Sequence, residues 1–196
     1  MPFVVICGII DCALYYVQNE QKGEPMATLT DKSKVSNAIR LYNEAQSMYL
    51  VLGGKNTEWP NPAVPTVPQS TTTTVPELIG LKRVSTVSLA RPTNITTGAN
   101  IVSSGGQNYE LVSLANAYAY NATYVYIATD IGQDDFPDKV HRIIALTSNP
   151  TFTAGVTSAV VPYNYVTNQG TLQAIENVTA TDMTGMDMTE FILISA

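Results

Sequence analysis

Histidine, cysteine and charge are all scarce in this chain, and each scarcity excludes a class of function. The 196 residues contain one histidine, His141, and two cysteines, Cys7 and Cys12. The usual zinc sites need several His or Cys ligands, so one copy of the chain does not assemble one, and no metal is expected. Both cysteines precede Leu14, which leaves the rest of the chain without a disulfide framework. Charged residues make up only 13%, with ten Lys and Arg against sixteen Asp and Glu and a net charge of −6. That is the wrong sign for tracking phosphates by counterion release, so nucleic acid is not an expected partner. The longest apolar run, Phe3 to Val17, is interrupted by Asp11 and falls short of the roughly 20 residues of a spanning helix. It also lacks the basic start of a signal peptide, and no membrane insertion is expected.

The 45% hydrophobic content is enough to offset the ordering entropy of a folded chain. Abundant Thr, Asn, Val and Tyr are typical of β-rich proteins whose exteriors are covered by neighbours. Residues 1 to 25 differ from the rest of the chain. They hold both cysteines and an aliphatic cluster at Val4, Val5, Ile6, Ile9 and Ile10, then a polar stretch. Met26 begins what reads as a second start, and the purine-rich codons available to Lys22, Gly23 and Glu24 suit a ribosome-binding site. The hypothesis is an untranslated leader with Met26 as the true start, against a genuine N-terminal strand or anchor; peptides from before Met26 in the native protein would exclude it.

Thr30 and Asp31 supply a cap and an acidic first turn, and Val35, Ala38, Ile39, Tyr42, Ala45 and Tyr49 recur at helical spacing. An amphipathic helix is predicted over Asp31 to Gln46. Tyr49 to Leu52 then reads as a short buried strand, ended by Gly53 and Gly54. From Trp59 to Pro76, five prolines and the run Thr71 to Thr74 forbid helix and central strand alike. The segment is expected to be extended, and Trp59, Val64 and Val67 suggest an arm lying on a surface rather than a solvated linker.

Beyond the arm, strands are predicted over Leu78 to Leu89 (closed by Arg91 and Pro92), Tyr109 to Val112, Tyr124 to Ala128, Val140 to Thr147, Thr171 to Glu176 and Phe191 to Ile194. Thr93 to Asn108 reads as turns, and Ser113 as the cap of one helical turn through Ala119. The expected fold is mainly β, sandwich-like with short antiparallel strands, one N-terminal helix and a Pro/Thr-rich arm. The expected organisation is helix plus first strand over 26–58, arm over 59–76 and β domain over 77–196, the first and last packing as one domain.

No constellation points to catalysis. Asp130, Asp134, Asp135 and Asp138 are dense enough for a hard cation, but their spacing is not that of an EF-hand loop, and a solvated turn between strands is the plain reading. His141 lies within an apolar strand without a nucleophile or orienting partner in sight, so it reads as structural or as a surface residue. Gly105 and Gly106 lack the further glycines and the Lys of a phosphate loop. The Asn-x-Thr triplets at Asn94, Asn121 and Asn177 occur by chance in such a chain, and Met183, Met186 and Met188 read as packing.

Three stretches, taken in order, resemble the wedge protein of contractile phage tail baseplates, the gene-eight product of T-even phages. The first holds Tyr42 and Asn43, Tyr49 to Gly53, Trp59 and Pro60 with the following prolines, and Leu81 to Pro92. The second holds Phe136 and Pro137, then Arg142 to Pro150, and the third Gly170 to Asn177 and Asp187 to Ile194. The chain is much shorter than the T-even protein and lacks the insertion between the second and third groups. The resemblance implies a non-enzymatic virion protein, assembled in the host cytoplasm, that needs no cofactor, pairs as a homodimer and holds other baseplate wedge subunits. It makes Tyr42, Tyr49, Trp59, Pro60, Phe136, Pro137 and Arg142 candidate interface residues. The runner-up is a tail-fibre or receptor-binding module recognising host-surface glycan, expected as a trimer. A glycan hydrolase using carboxylates of the Asp130 to Asp138 loop and Glu176 stands third.

Overall fold

A computed structural model describes residues 29–196. The expectations about residues 1–25 and about Met26 as the start lie outside the described residues.

Helix α1 (Asp31–Ala45) begins where its cap chemistry dictates: Thr30 is extended and its Oγ1 accepts from the Ser33 N–H at 3.2 Å. Val35, Ala38 and Ala45 form its buried stripe. The helix is followed by β1 (Tyr49–Gly53), β2 (Gly80–Arg83), β3 (Thr86–Thr93), β4 (Ile101–Ser104), β5 (Gln107–Val112) and β6 (Tyr124–Ile131). The second half holds β7 (Val140–Ser148), β8 (Thr151–Phe152), β9 (Val160–Pro162), β10 (Val166–Asn168), β11 (Thr171–Asp182) and β12 (Met188–Ser195).

These strands form two five-stranded antiparallel sheets and a small ribbon. The first sheet runs β11-β7-β1-β2-β9, the second β12-β6-β3-β5-β4, and β10 pairs with β8. The fold is mainly β with one helix, as expected. α1 packs on β3 and β6, so its buried stripe shares one core with both sheets: Val35 and Ala38 meet Leu50, Leu52, Leu89, Ile127 and Leu146 there.

A second apolar cluster lies on the opposite face of the first sheet. Val51, Leu81, Ile143 and Ala145 are buried in it together with Val75 of the arm, and Tyr49, Trp59, Phe152 and Val166 pack around them. Strand alternation explains the division, with Leu50 and Leu52 pointing to one side of β1 and Val51 to the other. A strand covered on both faces has no reason to alternate polar and apolar residues. Hence the unbroken apolar run at Tyr49 to Leu52.

The segment Leu78 to Leu89 is not one strand. The chain leaves the first sheet after Arg83, hydrogen-bonds through Val84 N to Met48 O and Ser85 N to Ala128 O, both at 3.1 Å, and enters the second sheet at Thr86. Nor do Arg91 and Pro92 close it, since β3 continues to Thr93. Pro92 lies beyond Ala90, the last residue paired with β6, where β3 has a neighbour on one side only and a missing N–H is tolerated. The stretch read as turns contains β4, and Gly105 and Gly106, with φ of 57° and 77°, form the two-residue hairpin to β5. Ser113 makes no side-chain cap bond, and only a short 3-10 turn, Leu114–Asn116, follows it.

Gly80 lets Phe136 approach the sheet. A Cβ at Gly80 would lie 2.5 Å from Phe136 Cε1 and 2.7 Å from the Val161 carbonyl oxygen, and the carbonyl cannot swing aside as a side chain can. Gly80→Ala is therefore expected to cost about 1–3 kcal/mol by overpacking. Denaturant unfolding of the two proteins checks this, and an unchanged midpoint would refute it.

Candidate assembly surface

The arm from Trp59 to Pro76 is held against the first sheet at three points. The indole Nε1 of Trp59 donates to Val178 O of β11 at 2.9 Å, and Asn177 Nδ2, also on β11, donates to Thr66 O at 2.7 Å. At the far end Gln169 acts as a surrogate strand. Its Oε1 accepts from Val75 N at 2.7 Å and its Nε2 donates to Val75 O at 3.0 Å. Val75 is thereby buried, whereas Val64 and Val67, between the anchors, are 61% and 88% exposed. An arm fixed in place with two apolar side chains aimed at solvent offers a preformed contact.

A second surface is the outer face of the second sheet. Val125, Ile127, Ile192 and Ile194 point into the core, so Tyr124, Tyr126, Phe191 and Leu193 alternate outward. Tyr126 and Phe191 have ring centroids 5.1 Å apart, and Tyr109 meets Tyr124 at 5.0 Å. Burial first, then the charge of Asp130, pushes the Tyr126 phenol above its ordinary range. Tyr109 moves the same way, by burial first and then by Tyr124. Both rings therefore stay uncharged at neutral pH, which suits a face that packs rather than pairs ions. Beside the arm and this face, Tyr118, Tyr120, Tyr163 and Tyr165 are each more than two-fifths exposed, and the Arg91 guanidinium lies 4.6 Å over the Tyr120 ring.

The seven residues marked in the sequence do not converge on one surface. Tyr49 and Trp59 share the second cluster, where the Tyr49 ring meets Phe152 edge-on at 5.4 Å. Tyr42 packs partly against the main core, and Phe136, 2% exposed, lies within it. Pro60 and Pro137 are exposed. Arg142 Nη1 donates to the Lys55 carbonyl at 2.7 Å, fixing the loop that leads into the arm. The outer aromatic face is absent from the sequence-based expectations, although the alternation of Tyr124 and Tyr126 with Val125 and Ile127 signals it.

The acidic loop is used residue by residue. Asp135 accepts from Lys82 at 2.5 Å and from the Gly132 N–H at 2.7 Å, Asp138 accepts from Lys55 at 3.1 Å, and Asp130 accepts from Thr189 at 2.6 Å. Among the described residues no group of three His, Cys, Asp or Glu side chains has the geometry to hold a metal ion, and no helix is long and apolar enough to cross a membrane. His141 is fully buried, with Nε2 3.0 Å from Glu190 Oε1. Neither ring nitrogen makes a well-aligned hydrogen bond, so the contact is one of proximity.

The described residues thus form an antiparallel β protein with an anchored arm and an aromatic sheet face. The comparisons specify which kind. The family described as "Baseplate wedge 3 tail fiber network component" matches residues 26–194. "Virion protein 3" of Enterococcus phage phiEF24C is 33% identical over 154 residues, covering 78% of this chain and 84% of that protein. The chain belongs to the baseplate wedge 3 tail fiber network component family. It is a structural virion protein of the phage tail baseplate that interacts with other baseplate proteins.

Glu176 gives this body a pH dependence. Partial desolvation of this otherwise exposed side chain, and secondarily the charge of Glu190, raise its carboxyl above the ordinary value. A raised carboxyl favours the fold fully below the unfolded value, and this contribution is lost as pH rises through the folded one. Glu176→Gln is therefore expected to raise the melting temperature more at pH 8 than at pH 4. Equal shifts at both pH values would contradict that assignment.

Proposed function

We propose that this chain is a non-catalytic wedge subunit that pairs as a homodimer and grips neighbouring baseplate proteins through its anchored arm and the outer aromatic face of its second sheet. The observation that carries the reading is the contrast within the arm. Its backbone is held by Trp59, Asn177 and Gln169, while Val67 is 88% exposed. Holding an apolar side chain in water on an ordered segment brings no gain to the isolated chain, and burying it under a partner does. On this reading the helix with β1 and the body from residue 77 onward act as one domain, and residues 59–76 are its attachment strap. Trp59 contributes indirectly by keeping the strap in place, and Val64 and Val67 make the contact.

Two substitutions separate these roles. Trp59→Ala is expected to loosen the arm, seen as new cleavage between residues 60 and 75 in limited proteolysis, and to weaken wedge assembly by about 2 kcal/mol or more. Val67→Asp is expected to leave unfolding stability within about 0.5 kcal/mol while weakening co-assembly with wedge subunits. Unchanged assembly in both variants would refute the arm as a contact element. Light scattering of the purified chain tests the pairing. Twice the chain mass supports the homodimer, and a trimer would favour the receptor-binding alternative.

A further inference from the structure

The single histidine is the one ionisable side chain that the assembly role leaves unexplained. His141 sits on β7 of the first sheet, fully buried, and its Nε2 is 3.0 Å from Oε1 of Glu190 on β12 of the second sheet, whose side chain is 15% exposed. Glu176 of β11, an exposed side chain, feels the charge of Glu190 but makes no contact with the ring. The remaining charges nearby are engaged elsewhere. Arg142 donates to the Lys55 carbonyl, Lys139 to the carbonyls of Gln133 and Phe136, and Lys55 to Asp138. Asp182 of β11 accepts from Thr184, and Asp130 of β6 from Thr189. On β11, Thr181 is the partner of His141, on β6 Thr129 is the partner of Glu190, and β1 brings only apolar residues and Gly53 to its pairing with β7. Among the described residues, the imidazole therefore meets the Glu190 carboxylate with no Lys or Arg side chain paired to either.

We propose that His141 and Glu190 form a proton-held latch that joins the two sheets at the corner where β11 passes into β12. With the imidazole protonated, its positive charge balances one carboxylate across the gap between sheets. With the imidazole neutral, Glu190 is left as a largely desolvated anion without a partner. Proton binding thus tightens the corner and proton loss loosens it, so the corner weakens as pH rises, in the same direction as the Glu176 contribution. Because β11 also carries the Trp59 and Asn177 anchors of the arm, the latch links the state of this corner to the posture of the strap.

The full chain has one histidine, so its imidazole ¹⁵N signals are read without assignment ambiguity. The expected result is that amide exchange at Ile192 and Ile194 rises, beyond the ordinary base-catalysed increase, over the same pH range in which the wild-type ring loses its second proton. Glu190→Gln is expected to weaken proton binding by the ring at least about tenfold. Asp130→Asn, on the outer face, is expected to leave it unchanged. A wild-type ring that is neutral throughout the range overturns the latch without need of any variant. So does a Glu190→Gln titration that coincides with wild type, or an equal shift in Asp130→Asn.

Discussion

The constraint on which the rest of this structure depends is that β1 and β7 are apolar on both faces. A sheet with one wet face needs a single cover; this one needs two. The inner cover is the second sheet together with α1, and the outer cover is assembled from short pieces, the arm and the β8–β10 ribbon, closing over Val51, Ile143 and Ala145. Each large apolar side chain buried in this way is worth about 1.5–3 kcal/mol. The arm is therefore part of the fold itself. Its prolines suit that task, because an extended segment with few N–H groups can lie across strands without competing for their ladder bonds.

That double burial also decides how much of the fold is legible in the sequence. Where one rule acts alone, the pattern is plain: the cap at Thr30, the apolar stripe of α1, the run at Tyr49 to Leu52 ended by glycine, and a tryptophan within a proline-rich arm. Where two sheets compete for one segment, it is not. Nothing in Leu81 to Leu89 marks the change of sheet at Val84 and Ser85, because both halves mix polar and apolar residues as a strand does and the break consists of two backbone hydrogen bonds to distant carbonyls. The β4–β5 hairpin is legible in principle, since two adjacent glycines between alternating runs are the ordinary signal of a tight turn. Reading Thr93 to Asn108 as turns throughout hides it. The strands of two or three residues at β8, β9 and β10 exist because they complete covers, and no local propensity announces them.

The same limit applies to the candidate surface. The order of three weak stretches points to the baseplate family, which the family match over residues 26–194 establishes, but resemblance names residues without saying which way they face. Phe136 and Trp59 serve the interior and the arm's anchorage, whereas Val64 and Val67 stand exposed on the arm. Only the alternation along each strand and the exposure of each side chain separate the two sets.

Scarcity of charge ties these features together. A protein with 13% charged residues has few ions with which to orient its partners, and those it has are largely used within the chain, as in Lys82 with Asp135, Lys55 with Asp138 and Arg91 with Glu110. Contacts with neighbours must then rest on shape and apolar area, which discriminate well only when the surface is already ordered. An arm clamped at Trp59, Thr66 and Val75 meets that requirement, because its entropy is lost when the chain folds rather than when the baseplate assembles. In a particle built from many such contacts, this allows each one to be modest and the whole to hold, since a subunit retained by one neighbour meets the next at high effective concentration.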